Sequence, residues 1–282
     1  MILDGKVAAN SIKERLREEI DKAVTNGCRR PKLVIVSVGD DPASKVYVRN
    51  KIKAAEEMGI IATHFPMIAE TDENYIKEII QEFNDDSLID GIMVQLPLPK
   101  HLDERAIIDA IDPSKDVDGL TTTNIGRLRS GQSCLKPCTA QGIIDLCKYY
   151  NIELDGKDVT IIGRSNIVGK PLADLMMAEG ATVTQCHSHT TDVSAHTYCA
   201  DIVVSAVGKP QYLVKQHICK GMVDTIIDVG INRDENGKLC GDVDFEAVKD
   251  MVENITPVPG GVGPMTVAEL MVNVVEAWRN NI

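Results

Sequence analysis

The fold is predicted from one segment, Val159-Thr-Ile-Ile-Gly-Arg-Ser-Asn-Ile-Val-Gly-Lys-Pro171. Its apolar run from Val159 to Ile162 predicts a strand, a turn begins at Gly163, and a helical pattern resumes after Gly169. A strand, a glycine turn and a helix in this order direct backbone N–H groups and the positive end of a helix towards a phosphate. The segment therefore indicates a nucleotide-binding unit, and an ordinary glycine turn of an α/β protein is the alternative.

The glycine pattern differs from the two common phosphate-binding loops. Ser165 stands where G-x-G-x-x-G has its second glycine. The segment is not a P-loop either, because five residues separate Gly163 from Gly169 and Pro171 replaces the Ser or Thr that would hold magnesium. The flanking sequence must therefore show what the loop binds.

Length and composition limit the class of protein. The 282 residues suit two modest domains or one large one, and 44% hydrophobic with 26% charged residues is typical of a soluble globular protein. A net charge of −12 argues against non-specific binding to nucleic acid or to an anionic membrane. There is no signal-peptide core and no apolar stretch of transmembrane length, and the eight cysteines include no Cys-x-x-Cys pair. We expect a cytoplasmic protein with reduced thiols.

Apolar runs alternate with helical patterns along the whole chain. The runs predict buried parallel strands, and the amphipathic patterns between them predict helices. The predicted strands occupy residues 32–39, 60–66, 91–96, 159–162, 181–185, 201–207 and 222–229. This alternation predicts two α/β domains with largely parallel sheets. Glycines, polar residues and Pro137 predict a connection over residues 121–139, and a helix is predicted from Ala140 to Tyr150. A last amphipathic helix, residues 267–278, is expected to pack back on the first domain.

The strand after the glycine loop indicates which dinucleotide would bind. A site for NAD usually has Asp or Glu at the end of that strand, about 20 residues after the glycine turn. Here the strand ends in Cys186-His-Ser-His-Thr190, which has no carboxylate, and Arg164 lies in the turn. A guanidinium and the hydroxyl of Ser188 suit the 2′-phosphate of NADP, which a carboxylate would repel. We therefore predict NADP, although Arg164 by itself could be a solvated turn charge.

Tyr47 and Lys51 lie on one face of a predicted helix, because they are four residues apart. A lysine that is partly desolvated has a lowered pKa, which suits it to proton transfer. The alternative is a surface lysine on a helix that also carries Arg49 and Lys53. Short-chain dehydrogenases also contain Tyr-x-x-x-Lys, but there the pair follows the nucleotide loop, whereas here it precedes the loop by more than a hundred residues.

Two polar sites follow predicted strands or turns of the first half. Gln95 ends a buried strand, at the sheet edge where parallel sheets commonly present site residues, or it caps the strand end. In Lys115-Asp-Val-Asp-Gly119, either Asp116 or Asp118 could bind an amino-substituted heterocycle, or both could cap the turn. These side chains are candidates for substrate binding.

Two further segments contain residue types that are common in binding sites. Pro257-Val-Pro-Gly-Gly-Val-Gly-Pro264 is expected to lie outside regular elements, either as a loop whose backbone approaches a flat ligand or as a rigid hinge. Five His and Cys side chains cluster between Cys186 and Cys199, but their spacing matches no zinc pattern, so we predict no metal.

Several long segments, in the same order along the chain, resemble the bifunctional methylenetetrahydrofolate dehydrogenase/methenyltetrahydrofolate cyclohydrolase family. The segments are Tyr47-Val-Arg-Asn-Lys51, Val94-Gln-Leu-Pro-Leu98, Lys115-Asp-Val-Asp-Gly-Leu120, Pro137-Cys-Thr139, Gly163-Arg-Ser-Asn-Ile-Val-Gly169 and Pro257-Val-Pro-Gly-Gly-Val-Gly-Pro-Met-Thr266. One departure is Ala140, where the family usually has proline. The resemblance covers nearly the whole chain.

The resemblance implies two successive reactions of one-carbon metabolism. 5,10-Methylenetetrahydrofolate is oxidised with NADP to the 5,10-methenyl form, which is then hydrolysed to 10-formyltetrahydrofolate. It further implies a homodimer of two-domain chains with a cleft between the domains. Residues 1–139 with 265–282 would form the folate-binding and catalytic domain, and residues 140–264 the Rossmann-like NADP-binding domain. A dehydrogenase with the first activity alone and a non-enzymatic NADP-binding protein are the alternatives.

The resemblance also implies roles for individual residues. Lys51 would transfer protons in the cyclohydrolase step, Gln95 would hydrogen-bond to it, Asp118 would bind the pterin ring, and Tyr47 would stack on or border the folate. The residues expected to line the folate site are Pro259, Gly260 and Gly261. The residues expected to contact NADP are Gly163, Arg164, Ser165, Ser188 and Ile231.

Overall fold

The computed structural model describes all residues, 1–282, and the chain forms two compact units. The three-stranded unit comprises Asn10–Cys138 and Val267–Ile282, and the five-stranded unit comprises Met1–Ala9 and Thr139–Thr266. Each is built on its own parallel sheet. The predicted class, two α/β domains with parallel sheets, is confirmed. None of the helices is both long enough and apolar enough to cross a membrane.

Helices and strands alternate along most of the chain, as the sequence pattern predicts. The helices are α1 Gly5–Thr25, α2 Pro42–Glu57, α3 Glu73–Asp85, α4 Glu104–Ile108, α5 Thr122–Arg129, α6 Cys138–Tyr149, α7 Gly169–Ala178, α8 Val193–Thr197, α9 Phe245–Val248 and α10 Val262–Arg279. The strands are β1 Lys32–Val38, β2 Ile61–Met67, β3 Gly91–Val94, β4 Asp158–Ile162, β5 Thr182–Cys186, β6 Ile202–Ser205, β7 Thr225–Asp228, β8 Asn232–Arg233, β9 Leu239–Cys240 and β10 Asn254–Ile255.

The three-stranded sheet has the order β2-β1-β3 and is covered by helices on both faces. Residues of α1, α2 and α10 pack on one face, and residues of α3 and α4 pack on the other. Leu270, Val274 and Trp278 of α10 are almost fully buried in the first of these cores. The prediction that the last helix packs on the first half of the chain is therefore confirmed.

The start of α2 is determined by local chemistry. The Asp41 carboxylate accepts a hydrogen bond from Ser44 N at 2.7 Å, and Pro42 occupies the first helical position, where its missing N–H costs nothing. Because α2 follows β1 directly, it begins at the carboxyl end of the parallel sheet. Gln95 follows β3 and therefore lies at the same edge. The fold thus brings the α2 side chains and Gln95 to one sheet edge.

The five-stranded sheet has the order β10-β7-β6-β4-β5, and its strands are all parallel. From β4 the chain moves outward to β5 and then returns to β6 on the other side of β4. The strand order therefore reverses between β4 and β6. In sheets of this kind, ligands bind beyond the carboxyl ends of the strands at that reversal.

The first nine residues pair with the five-stranded unit. Ile2 forms a parallel bridge with Ile255, Leu3 N donates to Ile255 O at 2.8 Å, and Gly5 N donates to Gly260 O at 2.9 Å. The compact units thus differ from the predicted grouping of residues 1–139 with 265–282, because these backbone bonds join residues far apart in sequence. The functional division into a folate-binding and an NADP-binding domain stays a prediction.

Two segments predicted to lack regular structure contain helices. The connection predicted over residues 121–139 includes α5, whose start is capped by the Thr121 hydroxyl. The segment 257–264 is only partly a loop, because α10 already begins at Val262. In α5 a glycine inside only eight residues obscures the helical period, and in α10 Gly263 and Pro264 do so at the helix start. The predicted helix start at Ala140 is also late, since α6 begins at Cys138.

Candidate active site

Lys51 and Gln95 are in direct contact in the three-stranded unit. Lys51 Nζ donates a hydrogen bond to Gln95 Oε1 at 3.0 Å and lies 3.4 Å from the sulfur of Met93. Gln95 is 7% exposed, and its Nε2 donates to Leu96 O at 2.7 Å, which leaves Oε1 facing the lysine. The buried amide therefore fixes the position of the amine.

The two aspartates after β3 have different tasks. Asp116 is 1% exposed, and its carboxylate accepts hydrogen bonds from the backbone N–H groups of Gly119, Leu120 and Thr121 and from Asn124 Nδ2. The oxygens of Asp116 are therefore used in hydrogen bonds that stabilise the loop. Asp118 takes no part in this capping. Of the two carboxylates left open by sequence, Asp118 is thus the one available to a ligand.

Burial has opposite effects on the two charged groups of this cluster. It lowers the pKa of the Lys51 amine, although the nearby Asp118 carboxylate acts in the other direction. It raises the pKa of the Asp118 carboxyl, although the charge of Lys51 and a hydrogen bond with Cys138 oppose that shift. A lowered pKa increases the fraction of neutral lysine, which is the form that can accept a proton.

Sequence reasoning assigned no role to two buried residues that support Asp118. Asn273 of α10 donates from Nδ2 to Val117 O at 2.9 Å and to Lys136 O at 2.8 Å. The Cys138 thiol donates to Val117 O at 3.2 Å, and burial raises its pKa well above the usual value. The available signal for Asn273 was a polar residue in the middle of an apolar helix stripe.

The loop that carries Asp118 also requires a glycine. Gly119 has φ of 71°, and a Cβ there would come within 2.4 Å of the Lys136 carbonyl carbon. The chain can therefore pass close to Lys136 only without a side chain. This close approach keeps Asp118 next to Cys138.

Tyr47 lies one turn before Lys51 on α2 and is 40% exposed. No hydrogen bond or ring contact joins it to the Lys51 cluster. Its ring is therefore accessible beside the cluster, which is compatible with the predicted role of bordering a flat substrate.

The glycine loop of the five-stranded unit has the predicted strand-turn-helix form. It links β4 to α7, and a Cβ at Gly163 would come within 2.4 Å of Ala206 O. Ser165 Oγ accepts hydrogen bonds from Val168 N at 3.1 Å and from Gly169 N at 3.3 Å, so its hydroxyl holds the turn. The loop therefore lies against the loop that follows β6, beside the reversal of strand order.

Arg164 and Ser188 approach the same region from two loops. Both are exposed, and Arg164 forms no ion pair. Partial desolvation lowers the pKa of His187, and the positive charge of Arg164 adds to that effect. Arg164 therefore lies near His187, in the loop after β5 that also contains Ser188.

The other predicted site residues lie elsewhere in the five-stranded unit. Ile231, 48% exposed, follows β7, and its side chain lies near Gly263. In the 259–261 loop, Gly260 O accepts from Gly5 N at 2.9 Å and Gly261 N donates to Pro257 O at 2.8 Å.

The structure contains no group of three or more His, Cys, Asp or Glu side chains arranged to hold a metal ion.

Known proteins match the chain over its whole length. The family model described as "Tetrahydrofolate dehydrogenase/cyclohydrolase, catalytic domain" matches residues 3–118, and the model of the same family's NAD(P)-binding domain matches residues 137–282. The bifunctional protein FolD of Agathobacter rectalis is 50% identical over 281 residues, which cover 99% of both chains. The chain belongs to the tetrahydrofolate dehydrogenase/cyclohydrolase family.

Solved structures of this family have the same fold. The bifunctional enzyme FolD from Campylobacter jejuni is 44% identical, with a TM-score of 0.97 over 100% of this chain and 99% of that chain. The Trypanosoma brucei methylenetetrahydrofolate dehydrogenase-cyclohydrolase, complexed with NADP cofactor and inhibitor, is 35% identical, with a TM-score of 0.94 over 99% and 97% of the two chains. The family resemblance predicted from the sequence is therefore confirmed.

The family's dinucleotide fits the groups in the five-stranded unit. The glycine loop has no Cβ where its backbone meets the neighbouring loop, and an unpaired guanidinium and an exposed hydroxyl stand near the end of β5. These are donors for a phosphate, and the absence of a carboxylate at the end of β5 removes the usual partner of the NAD ribose.

Proposed function

We propose that Lys51, Gln95 and Asp118 are the residues with which this family member performs its folate chemistry. The protein is a bifunctional enzyme that oxidises 5,10-methylenetetrahydrofolate to the methenyl form with NADP and hydrolyses that product to 10-formyltetrahydrofolate. The observation that carries the proposed site is the buried amine of Lys51, bonded at 3.0 Å to Gln95 Oε1. Neither a dehydrogenase with one activity nor a non-enzymatic binder would need a lysine held in this way.

Lys51 is the proton-transfer group of the hydrolysis. The oxygen of water forms a bond to the methenyl carbon and loses one proton. The bond from that carbon to N5 then breaks as N5 gains a proton and the oxygen loses its second proton to become the formyl carbonyl, so that one proton is released overall. The neutral amine accepts the first proton, and the resulting ammonium can return one to N5. Burial lowers the pKa of Lys51, which increases the fraction of neutral amine next to a substrate that is itself a cation. Gln95 is a positioning residue, because it bonds the amine through Oε1.

Asp118 binds the pterin ring, and Tyr47 borders it. A carboxyl group provides two oxygens that match the adjacent N–H and amino groups of such a heterocycle. Asn273 and Cys138 support the Asp118 backbone at Val117 O. The predicted contacts of Pro259, Gly260 and Gly261 with the folate stay predictions.

NADP, when bound, supplies the acceptor for the hydride that leaves the methylene carbon. In this chain Gly163 and Ser165 form the turn over which the dinucleotide would lie, and Ile231 offers an exposed apolar side chain. Arg164 and Ser188 would hold the 2′-phosphate, since both are exposed and can donate hydrogen bonds.

A coupled assay tests the proposed function. Methylenetetrahydrofolate and NADP are supplied, and the absorbance of NADPH and of the methenyl product is followed. Added methenyltetrahydrofolate without NADP measures the hydrolysis alone. NADPH formation without hydrolysis would leave a single-activity dehydrogenase, and neither reaction would leave only a binding protein.

We expect Arg164→Ala to raise the KM for NADP about tenfold or more, with the KM for NAD little changed. The reason is that a charge-assisted hydrogen bond to the 2′-phosphate is lost, worth about 1.5–3 kcal/mol. Steady-state kinetics with both dinucleotides measure the effect. Lys249→Ala is the control, because it removes the same charge just after the end of α9, where Lys249 pairs with Glu246. An equal rise of both KM values would contradict the assignment.

We also propose a homodimer, and the support comes from β2. This strand lies at the edge of the three-stranded sheet. Ile61 at its start is 51% exposed, and Ile68, the residue after its end, is 71% exposed. An unprotected edge strand with apolar neighbours is a surface that proteins usually cover.

Sedimentation analysis tests the dimer. We expect twice the mass of the 30.8 kDa chain at micromolar concentration and a shift towards monomer in Ile61→Asp. Leu239→Asp, on the β8–β9 hairpin and 38% exposed, is the matched control. A monomeric parent protein would overturn the proposal.

We propose that the enzyme works in the cytoplasm. All eight cysteines are free thiols, and Cys138 and Cys147 are buried. Free thiols in this number support a reducing compartment.

A further inference from the structure

Asp242 is a buried carboxylate that joins two loops of the five-stranded unit. It is 0% exposed and follows the β8–β9 hairpin. Its Oδ2 accepts hydrogen bonds from Val207 N at 2.7 Å, Gly208 N at 3.2 Å and Ser205 Oγ at 3.4 Å. Its Oδ1 accepts from Lys209 N at 2.9 Å and from Asn232 Nδ2 at 2.8 Å. Five donors thus converge on one side chain.

The donors come from the end of β6 and the loop after it, and from Asn232 at the start of β8, which follows the loop after β7. Residues 207–209 follow β6, which is one of the two strands flanking the reversal of strand order. The same loop meets the glycine loop, since a Cβ at Gly163 would come within 2.4 Å of Ala206 O. Asn232 is the first residue of β8 and directly follows Ile231, which lies in the loop after β7. Asp242 therefore fixes the backbone that lines the proposed dinucleotide site without itself lying in that site.

A second buried carboxylate fixes Asp242 itself. Asp228 is 3% exposed, and its carboxylate accepts from Asp242 N at 2.9 Å, Val243 N at 3.0 Å and Gly230 N at 3.1 Å. Burial, and less strongly the charge of Asp242, raise the pKa of Asp228 to about 7, although the three N–H groups act in the other direction. No lysine, arginine or histidine forms an ion pair with either carboxylate.

Two adjacent buried carboxylates that form no ion pair with a cation are poorly suited to stabilising a fold. An uncompensated buried charge costs free energy, and apolar side chains of similar size commonly serve stability at least as well. Unlike an apolar side chain, a carboxylate accepts hydrogen bonds from several N–H groups and holds them in one fixed arrangement. Here Asp242 holds together the two chain segments that follow β6 and β7, beside the strand-order reversal.

We propose that Asp242 is a positioning residue for NADP, acting through the loops after β6 and β7 without touching the dinucleotide. This rests on the proposed cofactor site. When Asp242 is replaced by asparagine, one oxygen becomes an NH₂ group that faces the N–H donors of one loop. That loop must then move, and the dinucleotide loses a preformed wall.

The experiment measures the Kd of NADP by fluorescence titration, together with both activities, for the full-length enzyme and Asp242→Asn. We expect the Kd and the KM of NADP to rise about tenfold. The hydrolysis of methenyltetrahydrofolate, measured without NADP, should be unchanged. Asp244→Asn is the matched control, since this carboxylate only caps α9 through Ala247 N.

Asn232→Ala provides a second test in case Asp242→Asn does not fold. It removes one donor and leaves four on the carboxylate, so a smaller rise in the Kd of NADP is expected. An unchanged Kd in Asn232→Ala or Asp242→Asn overturns the proposal, as does an equal loss of dehydrogenase and hydrolysis, which would indicate a general structural role. Failure of the proposed function would appear differently, as a parent enzyme that neither binds NADP nor turns over.

Discussion

We expect Lys51→Met to lose cyclohydrolase activity by about 10² to 10⁴-fold while it still reduces NADP, because a positioned proton-transfer group contributes about that much to a rate. Methionine fills the space of the stem but accepts no proton, and the buried Gln95 amide remains in place. The measurement compares the hydrolysis of methenyltetrahydrofolate with the formation of NADPH from methylenetetrahydrofolate.

Lys53→Met is the control for this variant. Lys53 lies on the same helix two residues further on, is 77% exposed in its side chain, and pairs only loosely with Glu57 at 3.9 Å. We expect both of its activities to match those of the parent enzyme. If Lys51→Met lost both activities equally, Lys51 would not be the group that separates hydrolysis from hydride transfer.

The pH dependence of the hydrolysis should also follow Lys51. Burial lowers the pKa of this amine, and its neutral form is the base, so the rate should rise with pH through that pKa and then level off. Gln95→Glu would place a carboxylate at the 3.0 Å contact, favour the ammonium and move the rise upward by about 1 to 3 pH units. A profile that stays in place would show that another group titrates.

Asp118→Ala is expected to lower kcat/KM for the folate substrate in both reactions by about a hundredfold or more, equivalent to roughly 3 kcal/mol. Both reactions require the pterin ring to be held, whereas the Kd of NADP should be unchanged. The two steady-state assays and a titration with NADP measure these effects.

Asp112→Ala is the matched control in the same loop. The Asp112 carboxylate is exposed and bonds only its neighbour Ser114, so its loss should leave both activities near those of the parent enzyme. If Asp118→Ala impaired hydrolysis alone, Asp118 would act through the charge of Lys51 and would not hold the ring.

The nucleotide loop illustrates what local sequence can predict. Its strand, turn and helix were expected from the apolar run and from Gly163 and Gly169, and they occur as β4, the turn and α7. Lys51 and Tyr47 were likewise placed on one face of a helix, because the helical period is a property of the backbone. The short helix α5 was missed, since eight residues with a glycine inside carry too little periodicity.

The two aspartates after β3 show a limit of prediction from local sequence. Asp116 and Asp118 are two residues apart and chemically identical, so their local pattern leaves both as candidates for a ligand, and only the family resemblance favours Asp118. The fold separates them, because Asp116 receives three backbone N–H groups and Asn124. Which carboxyl is used up in the loop depends on how the chain turns in space.

The amino-acid sequence by itself determined the alternation of strands and helices, the two α/β domains, the family and the residue types available for proton transfer and phosphate binding. Only the tertiary structure decided that Lys51 meets Gln95, 44 residues away, that Asn273 of the last helix supports the Asp118 loop, and that residues 1–9 pair beside Ile255. Periodicity and turn chemistry act between near neighbours and can be followed along a chain. Burial, hydrogen-bond partners and the pKa values that result from them are set by residues distant in sequence, which meet only when the chain has folded.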